Sequence, residues 1–120
     1  MADTPSEEAP APLWDRVEGF DRLLEHRTRL GVCVLLARHE ALAFTRLRHL
    51  LSETDGSLGA HLAKLEGAGY LEVEKSFENR RPMTWYRLTA AGQRALSAHL
   101  AALEQLVSAA ANATERGNPK

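Results

Sequence analysis

Apolar residues recur along this chain with two periods, and the change of period divides it into segments. Leu58, Leu62 and Leu65 are spaced by four and three, which lines them along one side of a helix. Gly56, Ser57, Ala60, His61 and Lys64 are read on the other side. Thr54 can accept a free backbone N–H of the first turn, and Asp55 brings negative charge to the positive helix end, so the spacing predicts a helix over 54–68. Gly69 tolerates positive φ and supplies the stop. Beyond it the period falls to two. Leu71 and Val73 alternate with Glu72 and Glu74, and Thr84, Tyr86 and Leu88 alternate with Trp85 and Arg87, as in two half-buried strands. Asn79 and Pro82 punctuate a tip that holds Arg80 and Arg81 side by side. A short hairpin cannot bury two guanidinium groups, so they face water or a polyanion.

The flanking segments are helical by the same test. Leu13, Val17, Phe20 and Leu24, with Trp14 beside them, describe an amphipathic helix. Residues 27–39 are apolar nearly all round and read as a central buried helix; 41–44 can add a small third strand. Thr45 is expected to cap the next helix, with Leu47, Leu50 and Leu51 inward and Arg46, Arg48 and His49 outward. Ser52 and Glu53 then turn the chain into Thr54. After the second strand Thr89 can cap a terminal helix. There Leu96, Leu100, Leu103, Val107 and Ala110 form a heptad seam longer than so small a core can cover, and a second copy of the chain is the simplest partner. The expected dimer contacts are Leu13, Trp14, Val17, Phe20, Leu96, Leu100, Leu103 and Val107.

These elements amount to a mainly α fold with a small β-hairpin (α+β). Residues 1–12, acidic and with three Pro, read as a disordered leader; 13–111 form one domain, and 112–120 a flexible tail. A net charge of −1 looks unpromising for contact with nucleic acid until it is divided along the chain. Residues 1–25 carry seven acids against two Arg, whereas 26–88 carry ten Lys or Arg against seven acids, so the central module is mildly basic. The longest apolar run, 32–37, is far too short to cross a membrane, and the acidic start lacks the order of a signal peptide. A lone Cys33 excludes an intrachain disulfide, and a cytoplasmic location is expected.

Three motifs occur in order: T-D-G-x-L from Thr54, H-L-x-K-L-E-x-A-G-Y from His61, and K-S-F-E-x-R-R-P-x-T-x-Y-x-L-T-x-x-G from Lys75. Together they resemble the winged helix-turn-helix regulators of the broad MarR, ArsR and PadR type, over roughly residues 20–108. The resemblance implies a homodimer that binds double-stranded DNA through a recognition helix, 54–68, and a wing, 77–83, flanked by dimerisation helices at both ends. The expected function is a sequence-specific transcriptional regulator, a repressor on an inverted-repeat operator. Its expected DNA contacts are Thr45, Arg46, Arg48, Thr54, Ser57, Ala60, His61, Lys64, Arg80, Arg81 and Thr84. With glycine and alanine along the helix face, shape and backbone contacts should carry much of the specificity. The alternative is a winged helix that binds another regulator and not DNA. A small-molecule effector between the terminal helices stays open.

Other chemistry fits less well. D-G-S-L-G comes close to a nucleophile elbow, but Asp55 replaces its first Gly, and Asp55, Ser57 and His61 lie on one helix and cannot surround a substrate, so no enzyme is expected. The five His show no metal-ligand spacing, and neither metal nor cofactor is expected. Cys33 in a buried helix reads as a packing residue.

Overall fold

The computed structural model describes residues 11–117, with side chains for 11–112. Four α-helices and a three-stranded antiparallel sheet follow in the order α1 (Arg27–Arg38), β1 (Leu42–Ala43), α2 (Phe44–Leu51), α3 (Asp55–Gly67), β2 (Leu71–Glu78), β3 (Arg81–Leu88) and α4 (Ala90–Gly117). The expected α+β architecture is the observed one. No helix among the described residues is long and apolar enough to cross a membrane.

The core lies where α1, α2, α3 and the base of the hairpin meet. Val32, Cys33, Leu47, Leu58 and Leu65 are fully buried there, joined by Leu62, Leu71, Tyr86 and Leu96. The sheet order is β1-β3-β2: Leu42 pairs with Tyr86 and Ala43 with Trp85, so the short strand does join the hairpin. β2 and β3 pair continuously from Leu71↔Leu88 to Glu78↔Arg81, leaving a two-residue turn. Asn79 and Arg80 both have positive φ, +52° and +64°, the conformation that matches the twist of a tight hairpin. Pro82 is therefore part of β3, opposite Phe77, and not part of the turn.

Several expectations are corrected. Residues 13–24 do not form one amphipathic helix. Two 3-10 turns, Leu13–Asp15 and Arg22–Glu25, flank Gly19, whose φ is +106°. That conformation ends a helix, and the glycine also lies against α4: a Cβ there would stand 2.6 Å from the Ala98 carbonyl oxygen. Asp21 then holds the segment down. Its backbone N–H donates to His99 Nδ1 at 3.0 Å, one carboxylate oxygen accepts from Leu23 N–H at 2.9 Å, and the other accepts from the Tyr70 hydroxyl. That bond is the main reason the Tyr70 phenol is pushed up to about 12. The segment is a strap on α4.

α1 is buried on one face only, through Thr28, Val32, Cys33 and Leu36, and Val34 on the other face is exposed. Thr45 is not a cap. α2 starts two residues earlier than a Thr45 cap would give, with Ala43 at the N-cap and no side-chain bond, because the chain passes straight from strand to helix. Thr89, by contrast, does cap α4: its hydroxyl accepts from Gly92 N–H at 3.0 Å and donates to Gly69 O at 2.6 Å. α4 runs to Gly117, past the expected tail boundary at 111. Of the expected leader, only Ala11 and Pro12 lie within the described residues.

Candidate nucleic-acid interface

The turn between α2 and α3 is built by backbone geometry. Ser52 takes left-handed φ of +53°, Ser52 N–H reaches His49 O at 3.2 Å, and Glu53 N–H reaches Arg48 O at 3.1 Å. This paired closure satisfies the last carbonyls of α2 and sends the chain back across it. Thr54 then caps α3 as expected, its Oγ1 accepting from Ser57 N–H at 3.2 Å. At the other end Gly69, with φ of +83°, closes α3 in the same way through Gly69 N–H to Glu66 O and Tyr70 N–H to Leu65 O.

With Leu58, Leu62 and Leu65 held in the core, α3 turns Gly56, Ser57, Ala60, Ala63, Lys64 and Gly67 to solvent. Five of these six carry at most two heavy side-chain atoms, so the helix axis can approach a groove floor closely, with Lys64 as its cation. Ala63 and Gly67 were missed as members of this face. At 100° per residue they belong to it as clearly as Ala60 does.

His61 departs from its expected place. It lies roughly 65° from the centre of the buried stripe, on the flank of α3 and not on its outer face. There it packs against His26, ring centroids 4.1 Å apart, and its Nδ1 takes a hydrogen bond from Arg29 at 2.9 Å. The guanidinium can only donate, so His61 accepts at Nδ1. Desolvation first, and then His26 and Arg29, push its pKa down. His26 Nδ1 in turn accepts Thr28 N–H as the cap of α1, and the Thr28 hydroxyl donates to Glu53 at 2.5 Å. That bond, followed by one from Ser57, holds the Glu53 carboxyl below the usual range. His61 therefore couples α3 to α1, and the contact to a base edge expected of it is not supported by its position.

Arg48 is also engaged: its Nε lies 3.0 Å from Asp55 Oδ1, a pair that ties α2 to the first turn of α3. Arg46 stays exposed. Asp55, Ser57 and His61 thus have separate partners and form no catalytic relay. Thr45 and Thr84 are brought together in a cleft of about 160 Å³ between the start of α2 and the wing. Arg80 and Arg81 are exposed at the hairpin tip, while Arg87 lower on the wing is bound to Glu74 at 2.8 Å. Cys33 is fully buried and its thiol is pushed up to about 12 by desolvation, which keeps it protonated and unreactive. No group of three His, Cys, Asp or Glu among the described residues is placed to hold a metal ion.

Residues 28–107 match the family model of the winged helix DNA-binding domain. The chain belongs to this family. An uncharacterised protein of Methanocaldococcus jannaschii is 35% identical to this winged helix over 78 residues, covering 65% of the chain and 85% of the relative. Among solved structures, a transcriptional regulator homologue from Pyrococcus horikoshii superposes with a TM-score of 0.69 at 25% identity, over 74% of this chain and 88% of that one. The zinc-responsive MarR family member ZitR of Lactococcus lactis shares the fold, with a TM-score of 0.54 at 18% identity over 75% and 61% of the two chains. By family the chain carries a winged helix DNA-binding domain, and it shares its fold with a transcriptional regulator homologue and with a MarR family member.

Among the expected dimer contacts, Leu96 is 3% exposed and packs in its own core, so it cannot serve a partner. Phe20 is half-buried, edge-on between Trp14 and His99 at 5.4 Å from each. His99 and Ala102 take the inward positions of α4, which rotates part of the seam outward. Leu100, Val107, Leu13 and Trp14 remain exposed. A cavity of about 600 Å³, lined by Trp14, Val17, Gly19, Phe20, Arg22, Glu25 and Leu106, lies between the strap and α4.

Proposed function

We propose that this winged helix represses transcription as a homodimer, each subunit laying α3 into successive major-groove segments of an inverted repeat about one DNA turn apart. The observation that carries the reading is the outer face of α3, exposed from Gly56 to Gly67 and free of bulky side chains while both helix ends are capped. Lys64, Arg46 and the wing-tip pair Arg80 and Arg81 supply the phosphate contacts, and Ser57 and Ala60 meet base edges. Arg48, drawn to Asp55, positions α3 against α2. Dimerisation uses exposed Leu100 and Val107 of α4, with half-buried Leu103 between them, and Leu13 and Trp14 of the strap, an apolar surface that a second copy would cover. A small-molecule effector would enter beside Trp14, in the cavity against α4, where Arg22 and Glu25 add charge to an otherwise apolar wall.

The test is recovery of genomic DNA bound by the full-length protein, followed by anisotropy titration on the recovered sites. The reading expects a two-fold symmetric motif bound by two chains. Failure to retain any DNA above a scrambled control would move the function to the protein-interaction alternative.

A further inference from the structure

Phe77 is the most exposed large apolar side chain among the described residues, at 75%. Its position is set by the ladder. It shares a sheet face with Leu71 and Val73, and across the hairpin with Pro82, Thr84 and Tyr86. At the base of the wing this face is core, with Leu71 and Tyr86 buried. Towards the tip the same face runs past the end of the core, so that Phe77 and its cross-strand partner Pro82 project from a paired ribbon. One pair further on stand Glu78 and Arg81, and beyond them the Asn79–Arg80 turn. An aromatic ring is thus carried at a fixed position beside two exposed guanidinium groups. No other part of the described chain covers it.

We propose that Phe77 is an apolar wedge for the DNA minor groove. This rests on the DNA-binding reading and deepens it by assigning how the wing discriminates sequence. The occupant follows from charge and shape. Arg80 and Arg81 at the tip favour the phosphates that border a narrow groove, and the ring set back from them meets the apolar faces of the deoxyriboses and the base edges. A ring pressed into the groove partly unstacks one base step, at an energy that depends on how readily that step deforms. The wing then reads flexibility and not a donor–acceptor pattern, and it favours a pyrimidine–purine step such as TA over a stiff A-tract at its point of entry. Arg81 projects on the opposite sheet face from Phe77, so the guanidinium and the ring can act on different parts of the groove.

The experiment uses the full chain, a recovered site and two versions of that site. In these the step facing the wing is TA or AA, and 2-aminopurine reports unstacking. Wild type should bind the TA site about tenfold more tightly, with a rise in 2-aminopurine fluorescence. Phe77→Ala should bind both sites equally, lose the fluorescence rise and keep the wild-type salt dependence; Phe77→Leu should retain part of the discrimination. The exposed position leaves folding unaffected, which a thermal melt checks. Undiminished discrimination in Phe77→Ala would overturn the wedge while leaving the DNA-binding reading intact, provided that Arg80→Ala/Arg81→Ala still changes the salt dependence. A change of sedimenting mass in Phe77→Ala would overturn it in favour of contact between copies. Absence of DNA binding by wild type would overturn both.

Discussion

Replacing both wing-tip arginines by alanine tests the electrostatic part of the interface in isolation. Arg80 and Arg81 are exposed, and alanine at 80 keeps the same left-handed φ of +64° that arginine already tolerates, so the hairpin is not newly strained. On duplex DNA each neutralised phosphate contributes about 0.9 to the slope of log affinity against log salt, so one wing contributes about 1.8 and two wings about 3.6. Between about 50 and 200 mM salt, one wing then accounts for a loss of roughly twelvefold in affinity, and two wings for roughly 150-fold, that the double variant no longer shows. The assay is fluorescence anisotropy at four or more salt concentrations. Arg87→Ala is the control: its guanidinium is held by Glu74 at 2.8 Å, so its slope should stay that of wild type. Parallel lines for wild type and the double variant would refute phosphate contact at the tip. An equal change in Arg87→Ala would show that overall charge, and not the tip, sets the slope.

Three further outcomes follow from the packing. His61 is held neutral in the fold and its pKa is lowered, with His26, Arg29, Lys64 and Glu53 as the charged or titratable groups around it. The unfolded chain therefore binds the proton first. Stability should be complete above the ordinary histidine value of 6.5 and fall as pH drops through the lower folded value. Melting curves from pH 8 to 5 should show this fall in wild type and a flatter profile in His61→Gln; identical profiles would count against it. Leu100→Glu, at a position 39% exposed in the single chain, should leave the melting temperature nearly unchanged but shift sedimentation from dimer to monomer and weaken operator binding. A retained dimer mass would remove α4 from the interface. Gly92→Ala would put a Cβ 2.4 Å from the Tyr70 carbonyl oxygen, which also accepts Thr89 N–H, and should cost about 1–3 kcal/mol by thermal unfolding.

What the sequence made legible was what depends on near neighbours. The stripe Leu58, Leu62, Leu65, the cap at Thr54 and the left-handed stop at Gly69 are local devices, and α3 forms where they place it. Alternation in β2 and β3 also located the wing, because the buried base of a hairpin selects one face in each strand. The errors lie where a distant partner decides. The spacing of Leu13, Val17, Phe20 and Leu24 is helical, yet the strap is shaped by Gly19 against Ala98 and by Asp21 bonded to His99, a residue 78 positions away. Arg48, expected as a phosphate contact, keeps an exposed side chain and pairs with Asp55 across the turn at Ser52, a partner the helical pattern alone does not show. Sorting α3 into two sides likewise hid its flanks, and His61 belongs to a flank that α1 and its cap occupy. With Arg48 and His61 committed within the chain, the outer face of α3 offers short side chains and one lysine. On the proposed DNA-binding reading, discrimination between sequences is expected from backbone approach of α3 and from the wing, where exposed Phe77, Arg80 and Arg81 have reach.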